Sequence, residues 1–246
     1  MSPGNWVQGS YENVAVTCEH CKRPNIFNRA SDLKKFTLIG GEPLTCLFQD
    51  CAKQFHALGD SINAAYQMLV FDSEELYRIK RYSLVILSLA QAWEVFFANF
   101  LRIKLAYKPF AVHDDLDKMN ADILRLFEET KELTFEKLRS IFLRMMIDPA
   151  GATTVDEFLR DLVRLSAKPP LDDLNRVPEE LQVHCLRLYK SDLGSFRNQV
   201  VHKNAYRPKK EEVDFYLHET RETLFPLGRK LDIEGDDVNW YLREVG

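Results

Sequence analysis

A chain of 246 residues is long enough for one large domain, or for a small domain beside a medium one. Its 46% apolar and 28% charged residues are ordinary for a globular protein, which excludes a disordered or fibrous chain. The net charge of −4 excludes a uniformly basic nucleic-acid binder, but the charge is unevenly spread. Arg187–Lys210 carries seven Lys/Arg against one acid, Asp192, whereas Ala111–Glu136 carries eight acids against three bases. Phosphate binding needs a local basic field of the first kind, and a solvated basic helix face has the same composition.

The first residues include Gly4, Asn5, Gln8 and Glu12 and hold no apolar run, so no signal peptide is expected. The longest apolar stretch, Leu84–Leu101, is interrupted by Ser88, Gln91, Glu94 and Asn99, and no membrane span is expected. Four of the five cysteines fall in the first 51 residues as two close pairs. That pattern suits one metal site in a reducing compartment, the cytoplasm, better than a disulfide framework.

In chain order, residues 1–60 read as a small β-containing module. Phe36–Ile39 and Glu42–Thr45 flank Gly40-Gly41, which predicts a hairpin. Within this module Cys18-x-x-Cys21 and Cys46-x4-Cys51 supply two knuckles. Two thiolates from one tight turn and two from another complete a tetrahedral four-thiolate set, which predicts structural Zn2+ on Cys18, Cys21, Cys46 and Cys51. Bonding to zinc also supplies folding energy that a 50-residue module lacks from its core. His20 and His56 are the competing ligands, but His20 lies inside the first knuckle, where its side chain should point away from the ion. A thioredoxin-like role for Cys18/Cys21 lacks the surrounding βαβ pattern. The module resembles zinc ribbons over residues 14–56. It either only stabilises the fold or also contacts nucleic acid through Lys22, Arg23, Phe27, Lys34 and Lys35.

From residue 61 onward the pattern is helical. Asp72 and Glu75 form a capping box, and Glu74–Lys108 contains neither Gly nor Pro, which predicts a helix of up to 35 residues ended by Pro109. Its centre is apolar nearly all round, as in a buried central helix or a subunit interface. Further helices are predicted at 114–129, 134–146, 153–165, 178–203 and 209–231. Pro149-Ala150-Gly151 and Lys168-Pro169-Pro170 are breaks, and Asp232–Asp237 is an acidic loop before a short terminal helix. The fold class is therefore mainly α, with a helical bundle behind a small β-hairpin ribbon.

The segment Ser195–Lys203 carries the chemistry. Leu186, Tyr189, Leu193, Phe196 and Val200 recur at three- and four-residue steps and read as a core stripe. Asn198 and His202 lie one turn apart on a face directed away from it. Arg197 is about 140° from His202 around the axis, so one rigid helix does not pair them well.

Arg197-Asn198-x-x-x-His202 near the end of a helix, in an all-helical context, resembles the motif of the HEPN superfamily. The apolar run Ser83–Phe97, with Glu94 inside it, resembles that family's opening helix. The likeness covers about residues 72–230, with added helices over about 114–165. It implies a HEPN-like domain over residues 61–246 and metal-independent RNA cleavage at a site shared across a homodimer, of the kind found in toxin–antitoxin and antiviral-defence systems. An antitoxin or defence-system protein would be a further partner, and no membrane would be involved. The implied catalytic residues are Arg197, Asn198 and His202, with Glu94 in support; Lys190, Lys203 and Arg207 would hold RNA. A non-catalytic HEPN-like scaffold that binds nucleic acid or nucleotide is the alternative, and a zinc-dependent interaction module with a helical dimerisation domain is a third.

The chemistry suits these residues. The 2′-OH of RNA attacks its own phosphodiester, which a histidine near neutral pKa can assist as base or acid. A guanidinium stabilises the phosphorane charge, and Asn198 orients the histidine or touches a phosphate oxygen. Bland readings stand beside each assignment: a helix-end histidine for His202, a surface ion pair with Asp192 for Arg197, and a buried partner of an arginine for Glu94. His184-Cys185 are adjacent and diverge by about 100°, which argues against a thiol–base pair. His113-Asp114-Asp115 reads as a helix start rather than a metal site. Gly40-Gly41 lacks the Gly-Lys-Ser/Thr of a phosphate loop.

Overall fold

The computed structural model describes residues 13–34, 39–57, 63–113, 115–202 and 206–233. Among these, the residues up to Met68 form one compact unit and Leu69–Ile233 form another.

The first unit is built from two antiparallel hairpins, each carrying one cysteine pair. β1 (Asn13–Thr17) pairs with β2 (Pro24–Asn28), with Val14 opposite Phe27. β3 (Pro43–Thr45) pairs with β4 (Gln54–His56), with Leu44 opposite Phe55. Along each strand inward and outward positions alternate, so Val14, Val16, Phe27, Leu44 and Phe55 all turn inward, joined by Ile39 and Ala57. The predicted hairpin around Gly40-Gly41 falls in part on residues outside the described ones. Pro43–Thr45 is a strand, but it pairs forward across the second knuckle. Gly41 does take a left-handed conformation (φ 81°). Residues 36–38 of the predicted first strand lie outside the described residues.

The second unit is helical. The long predicted helix is two helices, α1 (Ala65–Arg78) and α2 (Tyr82–Arg102), broken at Ile79–Arg81 where Lys80 is left-handed (φ 59°). Asp72 lies within α1 and caps nothing. The helix starts earlier because Tyr66, Val70 and Ser73 are buried, and Ser73 Oγ donates to Leu69 O at 2.7 Å. Beyond α2 the axis continues through a π-helical turn, Ile103–Tyr107, into α3 (Lys108–His113). Pro109 therefore sits inside the helical path. The widened turn before it relieves the clash of its ring with the preceding carbonyls.

α4 (Leu116–Thr130), α5 (Phe135–Ile147) and α6 (Val155–Leu165) are capped by Asp115, Thr134 and Thr154, the last in a full capping box with Glu157. The predicted helix 178–203 is also two helices, α7 (Glu179–Lys190) and α8 (Leu193–His202), and α9 spans Lys210–Lys230. α2 is the hub and packs against α4, α5, α8 and α9. Its Phe96, Phe97 and Phe100 meet Phe142 of α5, the last edge-to-face at 4.9 Å. By length and composition Tyr82–His113 could cross a membrane, but 61% of its apolar window is buried inside the protein, as in a core helix.

The α7/α8 break comes from neighbours rather than from a local breaker. The buried Arg139 of α5 donates to Leu188 O (3.3 Å) and Ser191 O and pairs with Glu136. Ser191 Oγ donates to Glu219 (3.2 Å), and Tyr216 OH donates to Asp192 (2.8 Å). These groups capture the polar atoms freed where the helix opens. The break also rotates the stripe. In α7 the buried residues are Leu181, Cys185 and Leu188, while the expected Leu186 and Tyr189 are half-buried.

Candidate metal centre and helical cleft

The four cysteine sulfurs of the hairpin unit lie within 4.8 Å of one another. Cys18 Sγ is 3.9 Å from Cys51 Sγ, and Cys21 Sγ is 3.7 Å from Cys46 Sγ. A tetrahedral ion with metal–sulfur bonds of about 2.3 Å requires sulfur separations of about 3.8 Å. The cluster therefore fits a four-thiolate metal site, and the wider spacing of the second pair does not spoil it. Both histidines are engaged elsewhere: His20 Nε2 with Gln54 O at 2.9 Å, and His56 Nδ1 with Gly41 O at 3.1 Å.

The two knuckles share a backbone device. The residue after the second cysteine of each pair is left-handed, Lys22 at φ 60° and Ala52 at φ 45°. That reversal lets Lys22 N–H reach Cys18 O (2.9 Å) and Ala52 N–H reach Phe48 O (2.8 Å). Two residues that the spacing argument missed tie the knuckles together. The buried Asn25 donates to Arg23 O (3.0 Å) and accepts from Leu47 N–H (2.7 Å). Arg23 pairs with Asp50 at 2.6 Å and lies 4.1 Å over the Phe48 ring. The Arg23 backbone N–H, and then its guanidinium, bring the Cys21 thiol down to about 6, whereas burial pushes Cys46 up to about 11. A cation beside a cluster of thiolates stabilises the charge that metal binding requires.

In the helical unit, a cleft of about 520 Å³ opens between α2, the α4–α5 turn and α8. Glu94, Arg197 and Asn198 all line it. Burial raises the Glu94 carboxyl above its ordinary range, and the Arg197 charge partly opposes this. Arg197 Nη1 donates to Asn198 Oδ1 at 3.2 Å. Gly194 sets how closely α8 approaches α5, because a Cβ there would lie 2.6 Å from Phe135 Cδ1. His202 is not part of the lining. It is exposed at the end of α8, about 6 Å along the axis from Asn198. The cleft also carries Lys131, Glu132 and Glu136, so its carboxylates outnumber its cations.

Of the expected RNA-binding residues, Lys190 is exposed at the end of α7. Arg207 lines a second cavity with Lys80 and Arg81, and Lys203 lies outside the described residues. Cys185 is a core thiol pushed up to about 12 by burial, not a nucleophile. No protein-family model, curated protein or solved structure matches this chain.

Proposed function

We propose that the protein is a dimeric, metal-independent endoribonuclease of HEPN type, acting in the cytoplasm, with a structural zinc ion in its hairpin unit. The observation that carries this reading is the meeting of Glu94 with Arg197 and Asn198 in one cleft, since Glu94 is far from the other two in sequence and all three were singled out by the family resemblance alone.

In this reading His202 moves the proton of the attacking 2′-OH or of the leaving 5′-oxygen. Arg197 stabilises the phosphorane, and Asn198 holds the Arg197 fork, as its hydrogen bond already does. Glu94 positions Arg197 electrostatically. His202 stands outside the cleft of its own protomer, so a second protomer completes the site. Phe127 at the cleft rim is 60% exposed and Leu124, one turn earlier, is 66% exposed, which supplies apolar surface for such a contact.

The test is a panel of Arg197→Ala, His202→Ala and Glu94→Gln on mixed and transfer RNA. The reading expects the first two to abolish cleavage with the dimer and its helical signal intact. Activity retained in His202→Ala would overturn it. The excess of carboxylates in the cleft favours a second reading, a non-catalytic HEPN-like scaffold that acts through a partner. Under it, wild type cuts no RNA at any protein concentration.

A further inference from the structure

The second cavity of the helical unit, about 270 Å³, is lined by Lys80, Arg81, Tyr82, Ser83, Leu84, Arg207 and Pro208. Three cations face it and no acid does. Among the described residues neither Lys80 nor Arg81 has an ion-pair partner, and the Arg207 guanidinium reaches only the Tyr206 carbonyl, at 3.2 Å. Elsewhere on this unit exposed cations are commonly paired, as in Arg78–Glu75, Arg164–Asp161 and Lys210–Asp214. Like charges gathered without counter-charge repel one another, and an anion relieves that cost.

The cavity is also held in shape. Glu212 accepts from Tyr206 OH and from Lys209 N–H, each at 2.7 Å, and the Tyr206 ring meets Phe196 of α8 edge-to-face at 5.6 Å. Tyr206 and Lys209, on either side of Arg207-Pro208, are therefore tied to α8 and α9, and Pro208 is buried. On the other side Tyr82 packs on Tyr77 at 5.7 Å.

Position decides what the anion is. Arg197 of α8 lies level with Glu94, and Arg207, five residues past the end of α8, reaches the start of α2. From Ser83 to Glu94 is about 17 Å along α2, and the exposed His202 lies at the α8 end nearer the cavity. We infer that this cavity is a phosphate subsite for single-stranded RNA, holding a backbone phosphate a few nucleotides from the cleavage position, with Tyr82 available to stack a base. The inference rests on the endoribonuclease reading for its substrate, but the cavity can be tested apart from cleavage.

The experiment uses the full chain, a labelled single-stranded RNA oligonucleotide and fluorescence anisotropy across a salt series. The variants are Arg81→Gln/Arg207→Gln and, as a control for total charge, Arg160→Gln/Arg176→Gln at exposed positions away from the cavity. The double variant is expected to bind about tenfold more weakly whatever the sequence, with a log–log salt slope shallower by about 0.7, while the control is unchanged. Shortening the RNA from one end should weaken wild-type binding in a step that the double variant lacks. Unchanged affinity and slope, or an equal loss in Arg160→Gln/Arg176→Gln, would overturn the subsite and leave the nuclease reading standing. Competition by a polyglutamate peptide as effective as RNA would overturn the phosphate assignment. If wild type cuts no RNA but the double variant still loses affinity and slope, the nuclease reading fails and the subsite stands.

Discussion

Replacing Gly194 by alanine tests whether the close approach of α8 to α5 positions the cleft. The new Cβ would stand 2.6 Å from Phe135 Cδ1, 3.1 Å from Phe135 Cγ and 2.8 Å from Glu136 Oε1. Carbon atoms rest at about 3.5–4.0 Å, so about 1 Å of separation must open. The Glu136 oxygen ends a flexible side chain and can yield. The Phe135 ring is buried, meets Phe97 edge-to-face at 5.9 Å and lies under the Arg139 guanidinium at 6.0 Å, so α8 is the part that shifts. Overpacking of this kind costs about 1–3 kcal/mol, and the better helix propensity of alanine returns up to about 1 kcal/mol. Urea denaturation should therefore show a loss of about 0–3 kcal/mol. The shift also carries Arg197 and Asn198 about 1 Å relative to Glu94, a displacement that can slow a positioned reaction about 100-fold. RNA cleavage should fall far more than stability does. A variant that gains about 1 kcal/mol and keeps full cleavage would refute the reasoning.

Wild type should carry one zinc ion per chain by metal analysis, and Cys46→Ser should lose it and should abolish the hairpin unit's cooperative transition while α-helical signal persists. Lys22→Gly and Ala52→Gly should each raise the stability of the hairpin unit by about 0.5–1 kcal/mol, read from its thermal midpoint, because glycine relieves the left-handed strain. Glu94→Gln should stabilise the protein at neutral pH and be indistinguishable from wild type in acid. The sign follows from the raised carboxyl: stability associated with protonated Glu94 is present below the ordinary carboxylate range and is lost as pH rises through the elevated value. Thermal midpoints of both proteins across pH check this, and a gap that narrows with rising pH would contradict it.

The four-cysteine cluster was legible because the spacing of two close cysteine pairs constrains four sulfurs, and the helix starts near residues 134 and 153 were legible because start signals are local. The breaks at Lys80 and Ser191 were not. Neither contains glycine or proline, and the second is stabilised by Arg139, Tyr216 and Glu219 from other helices. Asp72 shows the converse, a good local cap overruled by burial of the preceding turn. The motif marked Arg197 and Asn198, but only the packing of α8 on α2 brings them to Glu94. Lys80 and Arg81 fell outside the basic segment read from composition, because their partner Arg207 reaches them only through the fold.

The central claim is most directly tested by incubating the purified protein with RNA in EDTA and identifying the product ends, after confirming that the hairpin unit keeps its metal. The account predicts 2′,3′-cyclic phosphate and 5′-hydroxyl ends from wild type and none from His202→Ala. No cleavage across a range of RNAs, or products with 3′-hydroxyl and 5′-phosphate ends, would contradict it.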